Sequence, residues 1–193
     1  FFWDIVTGER SLAFGGNSRR EHFPAKNACM DFINDIDGPE SCNTNNMLKL
    51  TENLHRRNPE ARYADYYELA TFNHILSTQH PKHGGYVYFT PARPRHYRNY
   101  SAPNEAMWCC VGTGMENHGK YGQFIYTHVG DALFVNLYAA SQLDWKNAAL
   151  RCDRRQLSLI LKTVRLLSLK ARVRSISWCA IRSGYIRASS RLA

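Results

Sequence analysis

With 193 residues, 44% of them hydrophobic, the chain is long enough for one domain or a domain plus a piece of another. It contains no apolar run of about 18 residues, which excludes a membrane-spanning helix and leads to the expectation of a soluble protein. The formal net charge of +9 would suit a nucleic acid or an anionic membrane, but its distribution argues against both: residues 1–150 carry 14 Lys and Arg against 15 Asp and Glu, whereas residues 151–193 carry 11 against Asp153 alone.

The chain begins Phe1-Phe2-Trp3-Asp4, with no Met and no basic leader, as expected of an excerpt from a longer protein. Residues 1–27 read as a loop-rich segment with a turn at Gly15-Gly16-Asn17-Ser18. Gly38-Pro39 breaks the chain just ahead of Glu40. From Cys42 to about Arg57 the positions of Met47, Leu48, Leu50 and Leu54 predict an amphipathic helix that stops at Asn58-Pro59. A second helix is expected from Glu60 to about Gln79, carrying Tyr63, Tyr66, Tyr67, Ala70 and Ile75, with His80 to Gly85 ending it. Tyr86 to Thr90 reads as a short strand, and Pro91 to Asn104 as a Pro- and Arg-rich loop. A third helix is expected from about Gly114 to His128. It would place Cys109 and Cys110 at its N-terminal approach, where the helix dipole and free N–H groups favour a thiolate. Alternation over Ala132 to Tyr138 predicts a strand, and Leu143-Asp144-Trp145 is the last segment of ordinary composition.

From Arg151 onward the chain has nine Arg, no Glu, no Pro and one Gly, and is dominated by Arg, Leu and Ser. These six-codon residues are what a shifted reading frame over-produces, which is the favoured reading of the tail. The alternative is a basic amphipathic helix through Leu157, Ile160, Leu161, Val164 and Leu167.

The chemistry-bearing residues form two groups. Glu40-Ser41-Cys42 and Cys109-Cys110 supply one carboxylate and three sulfurs, a sensible tetrahedral shell for zinc. Neither Glu-x-Cys nor Cys-Cys makes the CxxC knuckle of a structural zinc finger, so buried or incidental thiols are an equal reading at this point.

Several ordered motifs together resemble the β-L-arabinofuranosidases of glycoside hydrolase family 127 and the related family 146. They are Gly15-Gly16-Asn17-Ser18-x-x-Glu21-His22-Phe23, Glu40-Ser41-Cys42-Asn43-Thr44-x-Asn46-Met47-Leu48-Lys49-Leu50, Tyr63-Ala64-Asp65-Tyr66-Tyr67-Glu68, Asn73-His74-Ile75-Leu76, Gly84-Gly85-Tyr86-Val87-Tyr88-Phe89-Thr90-Pro91 and Trp108-Cys109-Cys110-Val111-Gly112-Thr113-Gly114-Met115-Glu116-Asn117-His118. The resemblance covers about residues 1–146. It implies a mainly α fold: the C-terminal part of an (α/α)6 barrel over residues 1–130, the start of a β-sandwich over 131–150, and an atypical basic tail over 151–193. It also implies a retaining β-L-arabinofuranosidase that releases L-arabinose from plant-derived L-arabinofuranosides, with a carbohydrate as partner and neither nucleic acid nor membrane.

By the same resemblance Cys109 is the nucleophile and Glu21 the general acid and then base. Zn2+ is held by Glu40, Cys42, Cys109 and Cys110, and Tyr88 binds the sugar. Asn45 departs from the aromatic residue of that motif. His22, His74 and His118 lie inside motifs but are expected to be structural, as are Asp65, Glu68 and Glu116, while Cys29, Cys152 and Cys179 match nothing. Relatives that process plant polysaccharide are often exported, which favours an extracellular or periplasmic location over the cytoplasm. An inactive fragment with a zinc-stabilised fold is the alternative to an enzyme.

Overall fold

The computed structural model describes residues 1–26, 28–130, 132–137 and 139–145, and the backbone of four strands beyond them. The chain divides into two compact units, Phe1–Tyr121 and Gly122–Ala193. The first is helical: α1 (Phe2–Glu9), α2 (Cys29–Asn34), α3 (Ser41–Arg57), α4 (Ala61–Asn73), a 3-10 turn at Ile75–Thr78, and α5 (Cys109–Gly119). Among the described residues no helix is long and apolar enough to cross a membrane.

Helix α3 is the axis of this unit. Its buried stripe runs Thr44, Met47, Leu48, Thr51, Glu52 and His55, the spacing that keeps one helix face toward a core. Burying Met47 and Leu48 is worth about 1.5–3 kcal/mol each. His55, Arg56 and Arg57 occupy the last turn, where positive charge complements the helix dipole, and Asn58 caps it ahead of Pro59. This helix forms as expected. It packs on α4, which buries Tyr63, Tyr66, Tyr67 and Ala70. Trp3 of α1 closes the group, standing edge-on to Tyr63 and Tyr66 and donating its Nε1–H to Thr51 Oγ1 at 2.7 Å. Opposite α4, Gly15 has φ +88, and a Cβ there would meet the Ala70 Cα at 2.7 Å, so only glycine fits.

Several expected boundaries move. Residues 1–27 are not wholly loop: α1 forms because Trp3 and Val6 share a face that can be buried. The second helix ends at Asn73 rather than Gln79. Ser77 and Thr78 donate their hydroxyls to the carbonyls of His74 and Ile75, which tightens the continuation into a 3-10 turn. Tyr86 to Thr90 is not a strand. Tyr86 pairs with Gln79, Val87 with Tyr100 and Phe89 with Glu40, so three partners share the segment and no ladder develops.

The third helix starts five residues earlier than expected and stops nine earlier. Gly112 lies inside it rather than before it, and Gly114, the expected start, is its sixth residue. Gly114 is there for contact: a Cβ would lie 2.3 Å from the Tyr86 ring. Gly114→Ala is therefore expected to destabilise the fold by about 1–3 kcal/mol in urea unfolding, although alanine is the better helix former by about 1 kcal/mol. A stability equal to or above that of the parent would show that α5 and Tyr86 are not in close contact.

His74 sits at the end of α4, fully buried, its Nδ1 and Nε2 each 3.0 Å from a hydroxyl, Thr44 Oγ1 and Thr90 Oγ1. Burial, helped by the charge of Arg98, lowers its pKa from 6.5 to about 3. The unfolded chain therefore takes up a proton below pH about 6.5 that the folded chain refuses until pH about 3. The contribution of His74 is complete above the unfolded pKa and is lost as pH falls, by up to about 1.4 kcal/mol per pH unit. Urea unfolding at pH 7, 5.5 and 4.5 is expected to show this slope in the parent and a smaller one in His74→Gln.

The second unit is a set of antiparallel strands. Strand β1 (Tyr126–Val129) pairs with β2 (Ala132–Val135), Tyr126 facing Val135 and Val129 facing Ala132, about a turn in which Gly130 takes φ 55. β1 occupies the stretch expected to end the third helix. Its alternative to helix is the pairing with β2, and Phe124, Ile125, Leu133, Val135 and Leu137 are buried around it. The strand expected over residues 132–138 is present as β2; Tyr138 lies outside the described residues. Strands β3 (Ser141–Trp145), β4 (Leu150–Gln156) and β5 (Lys162–Ser168) form a sheet in that order, and β6 (Ile176–Ser177) pairs with β7 (Arg187–Ala188). Val164 and Leu167 thus belong to a strand and not to the alternative basic helix, whose other positions, Leu157, Ile160 and Leu161, lie outside the described residues.

Candidate active site

Five pieces of the helical unit meet at one place: the turn Arg19–His22, the stretch Pro39–Glu40, the stretch Val87–Phe89, and the first turns of α3 and α5. Single bridges tie the extended pieces together, Arg20 with Pro39 and Glu40 with Phe89. Glu40 is the N-cap residue of α3, and its N–H donates to the buried Ser18 Oγ at 2.8 Å. Ser41 donates its N–H to the Tyr88 carbonyl and its hydroxyl to the Val87 carbonyl, both at 3.0 Å. The start of α3 is thereby fixed to the segment that carries Tyr88.

Glu21 stands at the tip of a turn closed by reciprocal backbone bonds between Arg19 and His22. Arg20 takes φ 55, a left-handed conformation uncommon for a residue with a side chain. Ion pairs from Arg19 to Asp35 at 2.7 Å and from Arg20 to Asp37 at 3.3 Å anchor the turn.

The four donors expected to hold a metal come together. Suitable atoms of Glu40, Cys42, Cys109 and Cys110 all lie within 4.8 Å of one another. Cys42 Sγ is 3.1 Å from Cys110 Sγ, Cys109 Sγ is 3.8 Å from Cys110 Sγ, and the thiols of Cys109 and Cys110 each donate to Glu40 Oε1 at 3.8 Å. Cys42 and Cys110 are buried whereas Cys109 is exposed. The set therefore has a closed side and one sulfur open to an incoming molecule.

The electrostatics fit a cation. Burial raises the Glu40 carboxyl pKa, against the thiols that donate to it, and the charge of Glu21 adds to the rise. The Cys42 thiol is pushed up by the neighbouring Cys110 thiol first and burial second. Cys109 is also raised, mainly by burial. Cys109 is the first residue of α5, and the shift runs against the thiolate expected at a helix N-terminus. Three thiolates and a carboxylate this close repel one another strongly, so they ionise together only around a positive ion. One Glu and three Cys are donors that zinc accepts.

Tyr88 joins the two halves of the site. Its hydroxyl donates to Glu21 Oε1 and lies 3.5 Å from Cys109 Sγ, which donates to it. The bond to Glu21 is the first cause of a raised phenol pKa, which keeps Tyr88 a donor at neutral pH. Beyond it, the Tyr88 ring lies 5.9 Å from that of Trp108.

Other expected residues stay outside. His74 is buried between two threonines, His118 accepts from or donates to Tyr121 Oη at 2.6 Å, and Glu116 pairs with Lys49 and Lys120. The side chains of Cys29, Cys152 and Cys179 are not among those described. Two contributors escape a reading by residue type. Thr113 Oγ1 lies 3.1 Å from Cys42 Sγ, and Ser18 fixes Glu40. Their only signal is a place inside a motif, since hydroxyls carry no spacing rule of their own.

The sequence model of the β-L-arabinofuranosidase family, GH127 catalytic domain, matches residues 1–123. The chain belongs to this family of glycoside hydrolases. Among solved structures it is similar to a GH127 β-L-arabinofuranosidase from Geobacillus stearothermophilus T6, with a TM-score of 0.64 and 23% identity over 85% of this chain. The chain spans 28% of the length of that structure, and at this identity the likeness concerns the fold. No curated protein matches the chain.

Proposed function

We propose that this chain carries the catalytic residues of a retaining β-L-arabinofuranosidase that releases L-arabinose from plant-derived arabinosides. The observation that carries the reading is Tyr88, whose hydroxyl touches both Glu21 and Cys109. Cys109 in turn lies on the open side of the Glu40, Cys42, Cys110 group. Glu40 has its carboxylate turned to the thiols of Cys109 and Cys110. It is thereby committed as a ligand rather than as the second carboxylate that most glycosidases use.

Glu40, Cys42, Cys110 and Cys109 would hold the zinc, whose charge supplies the means of keeping buried sulfurs ionised and in place. The Cys109 sulfur attacks the anomeric carbon as the bond from that carbon to the leaving oxygen breaks, and Glu21 gives its proton to that oxygen. A thioglycosyl intermediate results. Glu21, now a carboxylate, takes a proton from water. The water oxygen bonds to the anomeric carbon while the carbon–sulfur bond breaks and returns the thiolate. Two displacements retain the anomeric configuration. Tyr88 orients Glu21 and the sulfur toward the same point and donates to whichever group carries the charge.

In this reading the helical unit Phe1–Tyr121 is part of an (α/α)6 barrel and the strands after it begin a β-sandwich, and the parent protein is exported to meet plant polysaccharide. The test is hydrolysis of an aryl β-L-arabinofuranoside, followed by intact mass measurement with a slow substrate. A retained product and one added pentosyl mass on Cys109 are expected. Hydrolysis with inversion, or an adduct on a carboxylate, overturns the reading.

A further inference from the structure

Away from the thiols, residues of α3, α4 and α5 line a partly open cavity of about 20 Å3. Its wall includes Asn45 of α3, Thr71 of α4 and Asn117 of α5, which are 2%, 3% and 6% exposed. Asn45 Nδ2, Thr71 Oγ1 and Asn117 Nδ2 have no hydrogen-bond partner among the described residues. Three polar atoms without a partner thus belong to residues from three helices that line one small space. A buried polar group left unpaired costs about 1–3 kcal/mol, so three at one cavity would cost an amount comparable with the roughly 5–15 kcal/mol net stability of a domain.

We infer that this cavity is a binding site for a single ordered water that bridges Asn45, Thr71 and Asn117. A water requires roughly 10–15 Å3 and two to four polar partners, and the cavity offers the room and three. The bonding closes without conflict: the water accepts from the two amide groups and donates one hydrogen to the threonine oxygen. An anion is the weaker occupant. Lys49 and Lys120, the cations of the wall, are both engaged by Glu116, so no free positive charge is left to hold one.

The position gives this water a role. Asn45 follows Cys42 by three residues on α3, and Asn117 follows Cys110 by seven on α5, spacings that keep each pair on one helix face. The seam between α3 and α5 is therefore held at one end by the contact of Cys42 with Cys110 and further along by the water. This inference does not depend on the chemistry proposed for Cys109.

The test turns on a sign. Thr71→Val removes the hydroxyl and keeps the shape. If the water is bound, the change deprives it of one partner, and the equilibrium constant for folding, measured in urea, is expected to fall about 5- to 30-fold. If the site is dry, the same change removes an unsatisfied group, and an unchanged or raised constant overturns the inference. Should Thr71→Val not fold, a crystal structure of the unaltered chain decides: density for one water within hydrogen-bond distance of at least two of the three atoms supports the site, and an empty cavity overturns it. Stability that rises with chloride at constant ionic strength overturns it in favour of an anion.

Discussion

Cys109→Ser is expected to reduce hydrolysis of aryl β-L-arabinofuranosides by about 10^3-fold or more while leaving a metal bound. The reasoning rests on what each sulfur faces. Cys109 is the exposed member of the group, against Tyr88 and beside Glu40. A serine hydroxyl there keeps nearly the same shape and the same hydrogen bonds, but it ionises far less readily than a thiol and is a much weaker nucleophile. Glu40, Cys42 and Cys110 remain to hold the ion. Activity and metal content are therefore expected to separate in this variant, and the pentosyl adduct is expected to disappear with activity. If Cys109 were only a ligand in a zinc-held fold without turnover, the parent would show no hydrolysis, and the substitution would change metal affinity alone. A Cys109→Ser variant that hydrolyses at the parent's rate would remove the sulfur from the reaction altogether.

Residue type and periodicity reveal some of this molecule and hide the rest for identifiable reasons. Helix α3 is legible because Met47, Leu48, Leu50 and Leu54 keep helical spacing and Asn58-Pro59 stops it, although Leu50 and Leu54 lie outside its buried stripe. Helix α1 is not, because two residues, Trp3 and Val6, carry its buried face and glycines follow closely. The start of α5 is misread because Gly112 and Gly114 look like helix breakers, whereas Gly114 makes room for the Tyr86 ring. That ring belongs to a segment distant in sequence, and no local rule contains it. Likewise Tyr86 to Thr90 alternates like a strand, but its three bridges go to three different places.

The site divides along the same line. Glu40, Cys42, Cys109 and Cys110 are visible as metal donors before any fold is known, because so few residue types bind zinc. Their spacing leaves it open whether they meet, and tertiary structure brings them together. Tyr88 is legible only through its motif, and its bridging of Glu21 and Cys109 is a property of the fold. Asn45, Thr71 and Asn117 carry no sequence signal of convergence at all, since each looks like an ordinary polar helix residue.

Removing the metal donor on the closed side is expected to act in the opposite way from Cys109→Ser. Cys42 lies at the start of α3, buried, 3.1 Å from both Cys110 Sγ and Thr113 Oγ1, both on α5. A metal shared by these groups therefore joins two helices, and its binding energy is folding energy. Structural zinc sites are worth about 10–16 kcal/mol over four donors, so one donor contributes about 3 kcal/mol, or roughly 10^2 in affinity. Titration with Co2+ is expected to show one equivalent bound to the parent with a thiolate charge-transfer band, and about 10^2-fold weaker binding to Cys42→Ser. A chelator is expected to lower the unfolding midpoint of the parent, and that of Cys42→Ser by less. Cys109→Ser tests the chemistry at the open sulfur, and Cys42→Ser the attachment of α3 to α5. If Co2+ binds both variants as it binds the parent, Glu40 and the three thiols do not form a metal site, and the positioning assigned to zinc must come from the protein alone.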